Sequence, residues 1–302
     1  MKILKILQKY ASSAIIIAMV IGLLLPQASL ITNNYVLHAL VGIMLITFLN
    51  INPEAITKEF KNPLFLIYIL VAYVIVIPVA LFFVMKFLTP ELCLGFLLYA
   101  SLPPAVASPA LTNIVKGNSA LSLTIMVLIN MIIPFSMIGL FSLLTNANIE
   151  LDILGMFRTL ILVVFVPLLV AQILRTYTPK IVTKLKPSLG GLSVLCILFV
   201  GYTVIGYQSK QILENPIILL KYLAYLYVIF FVLYLVGYFI APWRPKKDRI
   251  GLAVTKTYPN AGLGIVLAFK FFTPEIALLL VISEIPWGTT IGFFKWLNKH
   301  LS

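Results

Sequence analysis

Carboxylates are scarce in this chain. Nine Asp and Glu stand against 22 Lys and Arg in 302 residues, and charged residues of both signs make up only 10%. A soluble domain carries about 25%, so a soluble globular protein is excluded. Cysteine is nearly absent: Cys93 and Cys196 both lie in apolar runs, which argues against a disulfide framework or a metal site. His38 and His300 are far apart, and no Cys/His ligand cluster exists. The apolar runs hold no Ser/His, HExxH or paired-Asp arrangement, so an intramembrane enzyme would lack its nucleophile–base set or its metal cluster. The loops leave no room for a soluble catalytic or signalling domain, which also weighs against a receptor.

What remains is apolar. Hydrophobic residues make up 62% of the chain and the mean hydropathy is +1.10. These values describe an integral membrane protein whose first partner is the lipid bilayer. The net charge of +13 reads as positive cytoplasmic loops rather than a nucleic-acid footprint. The amino terminus, basic and then apolar, has the look of a signal peptide. No small-x-small cleavage site follows it, and it reads as a retained first span.

A span needs roughly 20 apolar residues. Such runs fall at 12–30, 34–50, 63–88, 91–115, 118–145, 152–175, 188–207, 216–241, 250–272 and 275–297. With both termini inside, the cytoplasmic segments collect sixteen of the 22 Lys and Arg. That asymmetry supports ten spans, a cytoplasmic location for both termini, and the plasma membrane as the site.

Two of the ten runs cannot be plain helices. In Ser101–Ser122, Pro103, Pro104 and Pro109 each remove a backbone N–H and clash with the preceding turn. In Thr255–Gly264, Pro259 does the same beside Asn260. Broken helices at membrane depth are tolerated where they are buried in protein or line a cavity, and in transporters they form the substrate site. Asn62-Pro63 opens the third run and Asn215-Pro216 the eighth, an offset of 215 − 62 = 153 residues. The two breaks lie at a similar offset. Five spans is an odd number, so repeats over 12–145 and 152–297 are inverted relative to each other. The basic segment Arg175–Lys186 is the expected link between them. The expected architecture is one all-α domain over 1–302, with broken helices four and nine crossing near the midplane.

The residues 102–125, LPPAVASPALTNIVKGNSALSLTI, resemble the fourth- and fifth-span signature of the bile acid:sodium symporter family. The early LLLP, the AYVIVIP of the third span, YPNAGL in the ninth and the polar turn near Trp287 are similar too, so the likeness covers nearly the whole chain. It implies ten spans in two inverted repeats, a panel and a core domain, and transport of organic anions, often coupled to sodium. Carried over residue by residue, the family's sodium positions fall on Tyr73, Ser108, Pro109, Ser122, Met126, Thr255 and Pro259. Only Ser108 and Ser122 keep the family's residue type, and its key glutamate is Thr255 here. Asn260, beside the crossover, is kept. Sodium is a hard cation that wants several oxygens, and Met126 is a poor ligand. The depleted set puts sodium coupling in question, and no other cofactor is expected.

Lys256 adjoins the vacated glutamate position. An ionisable residue inside a span is a functional hypothesis whose partner should be named. Lys256 would supply a tethered positive charge in place of the ion, with Glu284 as its candidate counter-ion. The plainer alternatives are that Lys256 snorkels to the surface and that Glu284 is a satisfied structural residue. Ser108, Thr112 and Asn260 are expected to contact the substrate, a small amphipathic organic anion. The expected function is secondary transport by alternating access. The rival within the membrane is an ion-independent or proton-coupled facilitator or exporter, similar to auxin efflux carriers.

Overall fold

The computed structural model describes residues 4, 6–7, 10–50, 62–145, 151–214 and 216–301. Among the described residues every regular element is helical. Seven helices are long and apolar enough to cross a membrane: Pro26–Leu49, Pro63–Leu88, Ser119–Leu144, Ile153–Tyr177, Pro179–Tyr207, Pro216–Phe239 and Pro274–His300. The protein is thus an integral, multi-pass membrane protein. The remaining apolar runs are shorter or interrupted helices.

The elements that matter below are α1 (Ala11–Leu24), α2 (Val36–Asn50), α3 (Pro63–Leu88), α4 (Cys93–Ser101), α5 (Ser108–Ile114) and α6 (Ser119–Leu144). They continue as α7 (Ile153–Tyr177), α8 (Pro179–Tyr207), α9 (Pro216–Phe239), α10 (Lys246–Thr257), α11 (Ala261–Phe271), α12 (Pro274–Ile282) and α13 (Glu284–His300). The two expected breaks are present, between α4 and α5 and between α10 and α11. Asn215, half of the repeated Asn-Pro pair, lies outside the described residues, as do Lys2, Lys5, Lys9, Lys58 and Lys61.

Three local features differ from the sequence expectation. The basic segment Arg175–Lys186 is no loop: α7 runs to Tyr177, α8 begins at Pro179, and only Thr178 separates them. Proline suits the first helical turn, where its missing N–H costs nothing, and the lysines that follow are good helix formers. The third run contains a π-helical turn over Ala72–Val76. The tenth is interrupted by a turn at Ser283 between α12 and α13.

The chain divides into two compact units. One takes Met1–Ile51 and Arg158–Leu219, the other Asn52–Phe157 and Leu220–Ser302. Each therefore draws on both halves of the sequence. In the first unit α8 packs along α1 and α2. Glycine makes the contact possible: a Cβ on Gly22 would stand 2.3 Å from the Tyr202 carbonyl oxygen. Small residues at such contacts let helix backbones approach within the membrane. The Tyr202 hydroxyl donates to Leu25 O at 2.9 Å and Thr32 shares a hydrogen bond with Thr203 at 2.8 Å.

The second unit holds both broken helices. Its core is aromatic around Tyr258, which meets Phe230, Trp287 and Phe294 edge-on. Away from the breaks, a polar cluster pins α10 to the start of α6. Asn118 caps α6 by accepting from the Ala120 and Leu121 N–H groups at 3.1 Å each. Its side-chain amide donates to Asp248 Oδ1 at 2.9 Å, and its backbone N–H donates to Lys247 O at 2.8 Å. Arg244 closes on the other Asp248 oxygen at 2.7 Å. Asp248 is buried, and an unpaired buried carboxylate is costly, so Asn118 and Arg244 together make its burial possible. Gly251 completes the approach, since a Cβ there would lie 2.9 Å from Asn118 O.

Replacing Asn118 separates its two duties. Asn118→Ala loses the cap, worth about 1 kcal/mol, and also strips Asp248 of a donor. Asn118→Asp keeps a good cap but faces Asp248 with a second carboxylate. Thermal unfolding of the purified protein should show Asn118→Asp destabilised at least as much as Asn118→Ala. An unchanged melting temperature for Asn118→Asp would mean that capping alone matters at this position.

Candidate functional site

The two broken helices meet at their breaks. Pro104 and Pro259 form an antiparallel bridge. The Ala105 N–H donates to Tyr258 O at 2.8 Å and the Asn260 N–H donates to Pro103 O at 2.7 Å. The local cause is in the sequence. Proline residues take N–H groups out of each helix, so carbonyl groups one turn earlier lose their intrahelical donors. Buried carbonyls must then find other donors, and each break supplies them to the other.

The remaining carbonyls of the ninth-run break are met by side chains. The Tyr99 hydroxyl reaches Thr257 O at 3.5 Å, Ser108 Oγ donates to Tyr258 O at 3.3 Å, and the Trp287 indole N–H donates to Pro259 O at 3.3 Å. Asn260 caps α11, its side-chain oxygen accepting from Leu263 N–H at 3.2 Å.

The same accounting explains Lys256. Residues three and four beyond Ala100 are Pro103 and Pro104, so the Ala100 carbonyl has no N–H to accept from in its own helix. In α3 the Ile77 N–H goes to Ala72 O through the π turn. The next residue is Pro78, so the Tyr73 carbonyl is stranded as well. Lys256 Nζ donates to both, at 2.8 Å to Ala100 O and 3.0 Å to Tyr73 O. It also stands 5.4 Å from the centre of the Tyr73 ring, in cation–π range. The Tyr73 hydroxyl donates to Leu252 O at 2.8 Å, tying α3 to α10. Lys256 is 7% exposed. Its ammonium sits at the carboxyl end of α4, where the helix dipole is negative.

This placement corrects two sequence expectations. Lys256 does not snorkel to the surface, because carbonyl oxygens inside the protein hold it. Glu284 is not its counter-ion: among the described residues the ion pairs are Lys210–Glu214, Lys221–Glu91 and Arg244–Asp248. Nor does its ammonium bond to Ser108 or Ser122. It is Thr255, standing where the resemblance implies a glutamate, that meets Ser122, sharing a hydroxyl–hydroxyl hydrogen bond with Ser122 Oγ at 2.8 Å.

The other expected residues fall as follows. Ser108, Thr112 and Ser122 are fully buried. Among the described residues the Thr112 hydroxyl finds no hydrogen-bond partner. Pro109 lies in the first turn of α5. Pro259 spends its carbonyl on Ala261 N–H and Trp287. Glu284 opens α13, one turn before Trp287. The sequence reading had missed Tyr73 and Ala100 as backbone acceptors. Prolines four or five residues downstream of each were the available signal.

Comparisons with known proteins follow the same lines. The family model described as the SBF-like CPA transporter family matches residues 10–283. An uncharacterized Bacillus subtilis protein, YbaS, is 28% identical over 202 residues, covering 63% of this chain and 63% of that protein. The probable chloroplastic sodium/metabolite cotransporter BASS1 of Arabidopsis thaliana is 29% identical over 227 residues, covering 70% of this chain and 53% of its own. The uncharacterized sodium-dependent transporter YocS of Bacillus subtilis is 24% identical over 208 residues, covering 68% and 63%. The chain therefore spans about half to two-thirds of the length of the curated relatives it matches. With the family match reaching from residue 10 to residue 283, and with two broken helices joined at their prolines, the chain belongs to the SBF-like CPA transporter family.

Proposed function

We propose that this protein is a secondary transporter that moves a small amphipathic organic anion by alternating access, and that it does so without sodium. The observation that carries this reading is the Lys256 ammonium between Ala100 O and Tyr73 O, 2.8 and 3.0 Å away. In other secondary transporters built on broken helices, unwound backbone carbonyls coordinate sodium. Here a tethered ammonium takes up the oxygens that a free cation would need. Thr255 Oγ1 donates to Gly251 O at 2.6 Å and accepts from the Ser122 hydroxyl at 2.8 Å. Two of the retained or replaced ligand positions are thereby closed on each other.

Within this reading the ten spans form two inverted five-helix repeats, and the protein lies in the plasma membrane with both termini cytoplasmic. The two compact units serve as panel and core, and the core carries the crossover. An anionic substrate group meets the amino-terminal end of α11, an eleven-residue helix whose dipole is positive there. Asn260 caps that end and Ser108 bonds to Tyr258 O beside it, with Thr112 one turn further along α5. The names of BASS1 and YocS, which refer to sodium, favour the opposite coupling, so the test must set the two against each other.

Purified protein in vesicles, assayed for exchange of a panel of small and amphipathic carboxylates, should work equally in sodium and in sodium-free buffer. Strict sodium dependence would sink the assignment of Lys256. Failure of every carboxylate to bind or exchange would overturn the organic-anion assignment.

Removing the ammonium should expose the vacancy it fills. Lys256→Ala leaves two buried carbonyls without donors, at a cost of about 1–3 kcal/mol each. The variant should melt lower than the parent, and sodium should raise its melting temperature while leaving the parent's unchanged. A Lys256→Ala protein that melts like the parent and ignores sodium would show that the carbonyl pair is not a cation site.

A further inference from the structure

Glu284 is left over by the account above. Its side chain is half-buried at the first position of α13. Among the described residues it takes part in no hydrogen bond and no ion pair. The neighbouring Ser283 hydroxyl, which could have served it, donates to Leu280 O at 2.6 Å instead. Its surroundings come from the aromatic core: Trp287 lies three residues on along the same face of the helix and packs edge-on against Tyr258. On the other flank there is space. A Cβ on Gly288 would meet no heavy atom within 4 Å, and the same holds for Gly292. Residues 284, 288 and 292 share one helix face, so an unpaired carboxylate stands at one end of an open strip.

The titratable groups on the elements around it can be named. From α4 comes Tyr99, within electrostatic range of the carboxylate and bonded to Thr257 O. The crossover brings Tyr258, which shares a hydrogen bond with Thr290. From α9 come Tyr227 and Tyr234, engaged with Thr289 and Asn298. From α10 comes Lys256, held by its two carbonyls. Lys270 closes α11 at the end away from the crossover, and Glu275 stands at the start of α12. On α13 itself the nearest cation is Lys295, about 16 Å along the axis at 1.5 Å per residue. The groups beside Glu284 are thus mainly phenols and indole, and among the described residues it joins no ion pair.

A carboxylate drawn out of water with neither donor nor cation is expensive as an anion. Within membrane spans such residues mark proton relays or cation paths. Sodium would need several further oxygens, and among the described residues no cluster of three or more His, Cys, Asp or Glu includes this one. We propose that Glu284 is a proton-binding site and that the proton it carries, rather than sodium, couples transport. The step is a simple one: the carboxylate takes a proton from the open side, crosses the conformational change as the neutral acid, and releases the proton on the other side. Lys256 keeps the crossover closed throughout, and Glu284 alone changes charge. The proposal rests on the transporter reading of the previous subsection, but its first test does not need a substrate.

A hydrophobic carbodiimide reacts with protonated carboxyl groups inside membrane proteins. Applied to the intact purified protein, it should label Glu284, as read by peptide mass spectrometry, and labelling should fall as pH rises. Absence of labelling at Glu284, or labelling that ignores pH, overturns the proposal. The second arm uses the carboxylate panel in vesicles. Uptake by the parent should fall about tenfold per pH unit on the alkaline limb, the mark of one essential proton, and an inward proton gradient should drive accumulation. In Glu284→Gln the rate should no longer vary with pH and the gradient should drive nothing. Transport indifferent to the gradient in the parent overturns the proposal. If no member of the panel is carried at all, the organic-anion assignment falls, while the labelling arm still decides whether Glu284 binds a proton.

Discussion

The bond between one ammonium and two stranded carbonyls governs this molecule. A proline cannot donate, so every proline in a buried helix leaves a carbonyl in need of a partner. Pro103 and Pro104 strand Ala100, and Pro78 with the π turn strands Tyr73. Lys256 meets both. Hydrogen bonds to a charged group contribute about 1.5–3 kcal/mol each, which offsets part of the cost of taking an ammonium out of water. The bond joins three elements: α3, α4 and α10. Without it the crossover would hold unsatisfied oxygens on two of its sides.

The crossover is rigid for the same reason. Pro103 O and Tyr258 O are satisfied by the opposite break, so neither broken helix can relax alone. The Asn118–Asp248–Arg244 cluster then fixes α10 against α6 from the other end. Together these contacts set the register that brings Thr255 onto Ser122. Ser122 keeps the serine that the resemblance implies, Thr255 stands where it implies a glutamate, and the two hydroxyls meet in a frame held by backbone bonds.

Much of this was legible in the sequence, though unevenly. Hydropathy marked the helices, because membrane spans must satisfy their own backbone. The prolines marked the breaks. The resemblance placed Ser122 and Thr255 near each other without showing that they bond. What could not be read was direction. From its depth alone Lys256 could point to the surface, to Glu284 or to a carbonyl, and the deciding fact was which carbonyls lacked donors. That fact was present in the spacing of Pro78, Pro103 and Pro104, but it needed the π turn, which no residue pattern announces. Asp248 was invisible for a related reason: a single acid in a basic segment looks like surface until the packing of Gly251 buries it. The link Arg175–Lys186 takes a helical course that its charge does not announce, because lysines extend helices readily.

A tethered cation has an electrical consequence. Sodium that enters with a substrate brings its charge across the membrane; the ammonium of Lys256 is bonded to the chain and delivers none. A monovalent anion moving alone would then feel the full membrane voltage, about 2.3 kcal/mol per 100 mV, directed outward when the interior is negative. A proton travelling with that anion cancels the charge, and the crossing becomes blind to voltage. With the fixed charge staying in the fold and a proton crossing beside the anion, the membrane potential would drop out of the driving force, and the concentration gradients would set the direction of flow.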